Sequence, residues 1–204
     1  MDVFVEPIEP APRLVAMGAG HVAQATAVLA RGVGFRVAVV DDRDELNTAE
    51  RFPGCEIVLE EPPSFLHRAA AEGRALGRYD WVLIATHDHA LDEQTLASSL
   101  EQGPAYIGLV ASRRKALRLV QRIAARRGPA VLERIDRFYA PVGLALGGRS
   151  PPEIALSIMA EVVALRHGQD VSRMRSVGRG FDDPRLVRTL EGSARPTPSR
   201  RAAP

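Results

Sequence analysis

The order of apolar runs in this chain predicts an α/β fold, a doubly wound parallel sheet lying between two helix layers. Short runs rich in valine, isoleucine and leucine alternate with amphipathic stretches from residue 13 to residue 167, the pattern of strand–helix units that cross over to parallel neighbours. The first strand and first helix are joined by Gly18, Ala19, Gly20, His21, Val22 and Ala23, and Asp41 follows 23 residues after Gly18. This is the G-x-G-x-x-G/A dinucleotide fingerprint in its required strand–turn–helix context. The expected architecture is therefore Rossmann-like, a three-layer αβα sandwich with strand order 3-2-1-4-5-6.

Residues 1–12 hold three prolines and three acids and are expected to form an extended leader. Residues 13–17 read as a buried strand, 22–31 as the helix opened by the glycine turn, and 35–40 as the next strand. A polar connection leads to a third strand at 56–59 and a crossover helix at 65–75, started by Pro62, Pro63 and Ser64. Residues 81–85 give a fourth strand, 91–100 a helix, 105–110 a fifth strand and 112–127 another helix, with 138–144 as the last strand. Ser150, Pro151, Pro152 and Glu153 mark the start of a final helix, a capping serine followed by proline at the first helical position and glutamate three residues on. Three segments result: leader 1–12, domain 13–168 and a basic, arginine-rich extension 169–204.

With 204 residues, 46% of them hydrophobic and 25% charged, the composition is that of a globular domain. No apolar run reaches the ~18 residues of a membrane span, and no basic-then-apolar leader is present, so a cytoplasmic location is expected. Cys55 is the single cysteine, which excludes an intrachain disulfide and a Cys-x-x-Cys site. The isoelectric point near 9.1 comes from one end. Residues 171–204 carry eight arginines against three acids, which leaves residues 1–170 at −3 within a total of +2. With Phe181 its single aromatic, such a tail could touch nucleic acid or an acidic partner, its commonest meaning is a solvated extension, and no specific nucleic-acid partner is expected.

Ligands of an open parallel sheet bind beyond the carboxyl ends of its strands. The first such loop carries Gly18, Gly20 and His21; glycines there let backbone approach a pyrophosphate at a helix N-terminus, or the site is empty or reassigned. The second carries Asp41, Asp42 and Arg43, with Asp41 or Asp42 placed to accept from a ribose hydroxyl. The third carries Thr86, His87, Asp88 and His89, which admit capping with hydrogen bonding to a ligand, or metal ligation. Capping is the stronger reading, and no metal is assigned.

The fourth loop is Ser112, Arg113, Arg114 and Lys115. Cations at a helix start oppose the macrodipole by about 0.3–1 kcal/mol each, so three in succession ask for an anion, or form a solvated basic turn. Lys115 is the only lysine among 27 basic residues, as though a compact ammonium were needed. The expectation is that Arg114→Ala and Lys115→Ala weaken ligand binding without loss of thermal stability. Strand spacing would place this loop roughly 10 Å from the glycine turn. Residues 141–149 add glycines and Arg149, as a second anion site or a tight connection. No nucleophile, catalytic carboxylate pair or Ser/His/Asp set is present, so no catalytic residue is assigned.

Taken in order, Gly18-Ala-Gly-His-Val, Val39-Val-Asp-Asp-Arg43, Ala85-Thr-His-Asp-His-Ala-Leu-Asp92, Tyr106-Ile-Gly-Leu, Ser112-Arg-Arg-Lys and Pro151-Pro-Glu-Ile-Ala-Leu-Ser-Ile158 resemble the motifs of the XdhC/CoxI family. These are accessory factors of xanthine dehydrogenase and CO dehydrogenase. The resemblance implies a maturation factor that binds molybdenum cofactor, helps it receive sulfur from a cysteine desulfurase, and passes it to an apo-molybdoenzyme. Family members commonly carry a further domain ahead of the Rossmann-like one. Ala23 stands at the frequent third glycine, and Ala145 stands where the family often has an acid. A homodimer is the expected assembly, with no membrane or specific nucleic-acid partner. The alternatives are an NAD(P)-dependent oxidoreductase, on the glycine turn and Asp41, and a nucleotide-sensing regulator.

Overall fold

The computed structural model describes residues 10–174. Its six-stranded sheet is wholly parallel and runs β3–β2–β1–β4–β5–β6. The strands are β1 (Arg13–Met17), β2 (Arg36–Val40), β3 (Glu56–Val58), β4 (Asp80–Ile84), β5 (Tyr106–Leu109) and β6 (Phe138–Tyr139); the helices are α1 (His21–Gly32), α2 (Pro62–Ala71), α3 (His89–Glu101), α4 (Arg113–Arg127) and α5 (Pro151–Arg166). The sequence-derived order and every helix are reproduced, with ends shifted by up to four residues.

Side chains alternate across the sheet as strand geometry requires. Val15, Met17, Val82, Ile84, Ile107 and Leu109 pack under α2, α3 and α4. Leu14, Ala16, Val39, Leu83 and Tyr106 pack under α1 and α5. Ala23, Ala27 and Ala30 form the buried stripe of α1, small enough for the helix to approach both the sheet and α5. An aromatic row, Phe35–Trp81–Tyr106–Tyr139, crosses the same face with ring centroids 5.9, 5.6 and 4.8 Å apart.

The register positions the site. Met17 pairs with both Val40 and Ile84, Val40 with Val58, and Ile84 with Leu109. The loops that follow these strands therefore leave the sheet side by side at one edge.

Two local differences from the sequence expectation have clear causes. The last strand is two residues long rather than 138–144, because Gly143 N–H donates to buried Glu161 Oε1 at 3.1 Å and Leu144 N–H to the Ser157 carbonyl at 3.1 Å, drawing the chain off the sheet onto α5. A 3₁₀ helix, Pro129–Arg137, fills the approach to β6. Glu153 caps α5 as expected, accepting from the Ser150 backbone N–H at 3.0 Å and its hydroxyl at 2.7 Å. Residues 1–9 of the leader and 175–204 of the basic extension lie outside the described residues.

Candidate functional site

The glycine turn sits where the sheet order reverses, between β1 and β4. Gly18 has φ +117°, and a Cβ there would overlap the Ala85 carbonyl at the end of β4. Only glycine meets both demands. Gly20 is the N-cap of α1, makes no side-chain cap, and has no atom within 4 Å of where a Cβ would stand. No acid lies in the first turn of α1, and His21 is exposed at its first position. The orphan N–H groups and positive dipole end of this helix are thus presented openly to an anion.

Asp41 does something other than expected. It is 2% exposed, and its Oδ2 accepts from Ala19 N–H at 2.7 Å and Arg43 Nη2 at 2.6 Å. Oδ1 accepts from Arg43 N–H at 3.0 Å and Arg43 Nε at 2.8 Å. A carboxylate has about four acceptor positions, and four donors from within the chain occupy those of Asp41. Burial pushes its carboxyl up, but the Arg43 side chain, the Ala19 and Arg43 backbone N–H groups and the Arg43 charge together hold it below the ordinary aspartate value. The same pairing raises Arg43 above its ordinary value, against the opposing effect of its partial burial. Asp42 is exposed beside them.

Arg51 completes the support of the turn, and the sequence pattern gave it no role. Its guanidinium donates to the Ala19 carbonyl at 3.0 Å, the Leu46 carbonyl at 2.5 Å and Gln24 Oε1 at 3.2 Å. Ala19 is therefore held at its N–H by Asp41 and at its carbonyl by Arg51. No periodicity or motif marks an arginine in a polar connection for that task.

In the third loop Asp88 caps α3, accepting from Ala90 N–H at 2.5 Å and Leu91 N–H at 3.2 Å. Those two bonds, with the neighbouring His87 and His89, keep its carboxyl low. His87, Asp88 and His89 are exposed, and among the described residues no group of three or more His, Cys, Asp or Glu is arranged to hold a metal. Thr86 Oγ1 lies 2.6 Å from Asp92 Oδ1 and 2.9 Å from the Asp88 carbonyl.

The fourth loop joins the third through Asp92. Lys115 Nζ donates to Asp92 Oδ2 at 2.5 Å, and Asp92 is 2% exposed. The single lysine is thus a partner for a buried carboxylate, a role the sequence reading did not give it. Asp92 was legible only as a helix residue inside a motif. Ser112 caps α4 by accepting from Lys115 N–H at 3.3 Å. Arg113 also has an interaction of its own, whereas Arg114 is exposed and forms no ion pair among the described residues. His89, Ser112, Arg114 and Lys115 line one groove with Arg118, Leu119 and Arg122 of α4; that lining does not include the glycine turn.

The four loops are thus linked along the carboxyl edge. Arg43 holds Asp41, Asp41 holds Ala19, Gly18 abuts Ala85, and Thr86 connects through Asp92 to Lys115. No helix among the described residues is long and apolar enough to cross a membrane.

A family model described as the XdhC Rossmann domain matches residues 14–162. The chain is 40% identical over 167 residues to the Escherichia coli protein YqeB, covering 82% of this chain and 30% of that one. It is 32% identical over 165 residues to a Bacillus subtilis protein named as a probable subunit of xanthine dehydrogenase, covering 81% and 46%. A crystal structure described as a xanthine dehydrogenase from Bacillus halodurans superposes with a TM-score of 0.66 at 31% identity, over 79% of this chain and 44% of that one. The chain spans less than half the length of each of these relatives. With the glycine turn, the sheet order and the matched residues in agreement, the chain belongs to the XdhC family, of which it carries the Rossmann domain.

Proposed function

We propose that this domain is an accessory factor for a xanthine dehydrogenase or CO dehydrogenase type molybdoenzyme, and that it binds molybdenum cofactor at the carboxyl edge of its sheet. Presentation of the cofactor for sulfuration by a cysteine desulfurase, and its transfer to the apo-enzyme, belong to the same reading. The observation that carries it is the uncapped N-terminus of α1, framed by Gly18 and open above Gly20.

The residues present fit a phosphate-bearing pterin. The α1 N–H groups and dipole suit a phosphate, and Arg114 supplies an exposed guanidinium with no ion pair among the described residues. Asp88 and Asp92 face their own caps and partners, so neither adds an unpaired carboxylate to repel the anion. When bound, the cofactor supplies the molybdenum and dithiolene chemistry of the client enzyme. The chain's own residues bind the phosphate end and orient the ring system, with His21, His87 and His89 exposed at the rim. The relatives named for xanthine dehydrogenase support the client class. A nicotinamide dehydrogenase is less well supported, because the acid expected to recognise a ribose is consumed by Arg43 and Ala19.

Purification of the chain from a host that makes molybdenum cofactor, followed by oxidation of bound pterin to its fluorescent form, tests the proposal. Stoichiometric pterin in the wild type and its loss in Gly20→Asp, which sets a carboxylate over the α1 terminus, are expected. Pterin-free wild type that also fails to take up added cofactor would overturn it.

A further inference from the structure

We infer that the exposed ridge of α4 around Arg118 is a docking surface for an acidic segment of a partner protein. The reading above bears on this only through the partner's purpose: an acceptor of the cofactor would sit beside the crevice that holds it.

Helix α4 carries seven cations, Arg113, Arg114, Lys115, Arg118, Arg122, Arg126 and Arg127, and no acid. Its neighbour α3 answers with three carboxylates. Asp92 pairs with Lys115, Glu93 with Arg122 and Arg126 at 2.9 Å each, and Glu101 with Arg127. Arg114 and Arg118 are exposed and have no ion pair among the described residues. The surplus stands on a body whose first 170 residues are net negative, so it is a local feature and not a consequence of overall charge.

Arg114, Arg118, Arg122 and Arg126 recur every fourth residue and form one slanting row on the helix. Their spacing along the axis is about 6 Å. Alternate side chains of an extended peptide repeat at about 7 Å, so successive same-face carboxylates meet successive guanidiniums. The far half of the row already shows this mode of recognition within the chain, where Arg122 and Arg126 grip the single carboxylate of Glu93. Leu119 and Ala125 supply apolar floor between the cations. No aromatic residue lies on α4, so the face lacks the stacking platform of a single-stranded nucleic-acid site.

The test is fluorescence anisotropy with labelled hexaglutamate and the full chain, without cofactor. Arg118→Glu is expected to weaken binding at least about fivefold, the sum of one lost exposed pair and one new repulsion. Arg36→Glu changes the net charge equally at the opposite edge of the sheet, where Arg36 is exposed at the start of β2, and should alter affinity less than about twofold. Equal losses in the two variants would show that net charge or the basic extension does the binding, and would overturn the inference. Oligothymidylate bound more tightly than hexaglutamate, and released by Arg118→Glu, would overturn it in favour of a nucleic-acid face. Because Arg118 is outside the proposed cofactor contacts and the probe contains no pterin, failure here is distinguishable from failure of the cofactor reading.

Discussion

Asp41 accepts the N–H of Ala19 at 2.7 Å, so the residue that follows one strand is built into the glycine turn that follows its neighbour. The carboxylate is buried and its folded-state value is lowered, while an unfolded aspartate titrates near ~3.9. A lowered group contributes stability that is fully present above the unfolded value and is lost as pH falls through the folded one. The chain is therefore expected to lose stability below about pH 4 partly through this group. Asp41→Asn should cost about 2 kcal/mol at neutral pH, the value of hydrogen bonds to a charged partner, and should flatten the acid limb of a urea midpoint-versus-pH curve. Parallel acid limbs in the two proteins would remove Asp41 from the account.

Gly18 and Gly20 separate the two uses of glycine in one turn. Gly18→Ala meets a left-handed φ and the Ala85 carbonyl together, and should cost about 2–5 kcal/mol by adding backbone strain to overpacking. Gly20→Ala has ordinary φ and open space, so its cost should stay within about 1 kcal/mol, the difference between glycine and alanine at an N-cap. Chemical denaturation of both variants checks the contrast.

Lys115 and Arg114 are adjacent in sequence and opposite in consequence. Lys115→Met leaves the Asp92 carboxylate buried without its cation and should cost about 2–4 kcal/mol, somewhat under the figure for a fully buried pair because 24% of the lysine side chain is exposed. Arg114→Ala should leave stability within about 0.5 kcal/mol or raise it slightly, since it removes an exposed cation from a helix N-terminus. A double-mutant cycle with Asp92→Asn should return a coupling of about 1–3 kcal/mol for Lys115 and none for Arg114.

What the sequence made legible was whatever has a local period or a local shape. Strand order follows from alternation and the glycine turn, and the caps Asp88 and Ser150 follow from residues standing just before apolar helix faces, whereas Ser112, expected inside its helix, caps it instead. Side chains whose partners lie far along the chain were not legible. Lys115 reaches 23 residues back to Asp92, and Arg51 reaches 32 residues back to Ala19. The solitary lysine is a signal, and the structure gives it a buried partner, Asp92, that its sequence position does not show. Spacing finds Asp41, but it places a carboxylate without showing that Arg43, two residues on, and Ala19 supply its hydrogen bonds. The last strand is shorter than its apolar run predicts because Glu161, on a later helix, captures Gly143.

The most direct test of the central claim is a titration of the full-length chain with isolated molybdenum cofactor, run in parallel with NAD(P), for the wild type and Gly20→Asp. The account predicts saturable cofactor binding that Gly20→Asp weakens by an order of magnitude or more, through a carboxylate set against the open N-terminus of α1, with NAD(P) bound far more weakly by the wild type. Tight NAD(P) binding with hydride transfer, or cofactor binding indifferent to Gly20→Asp, would contradict it.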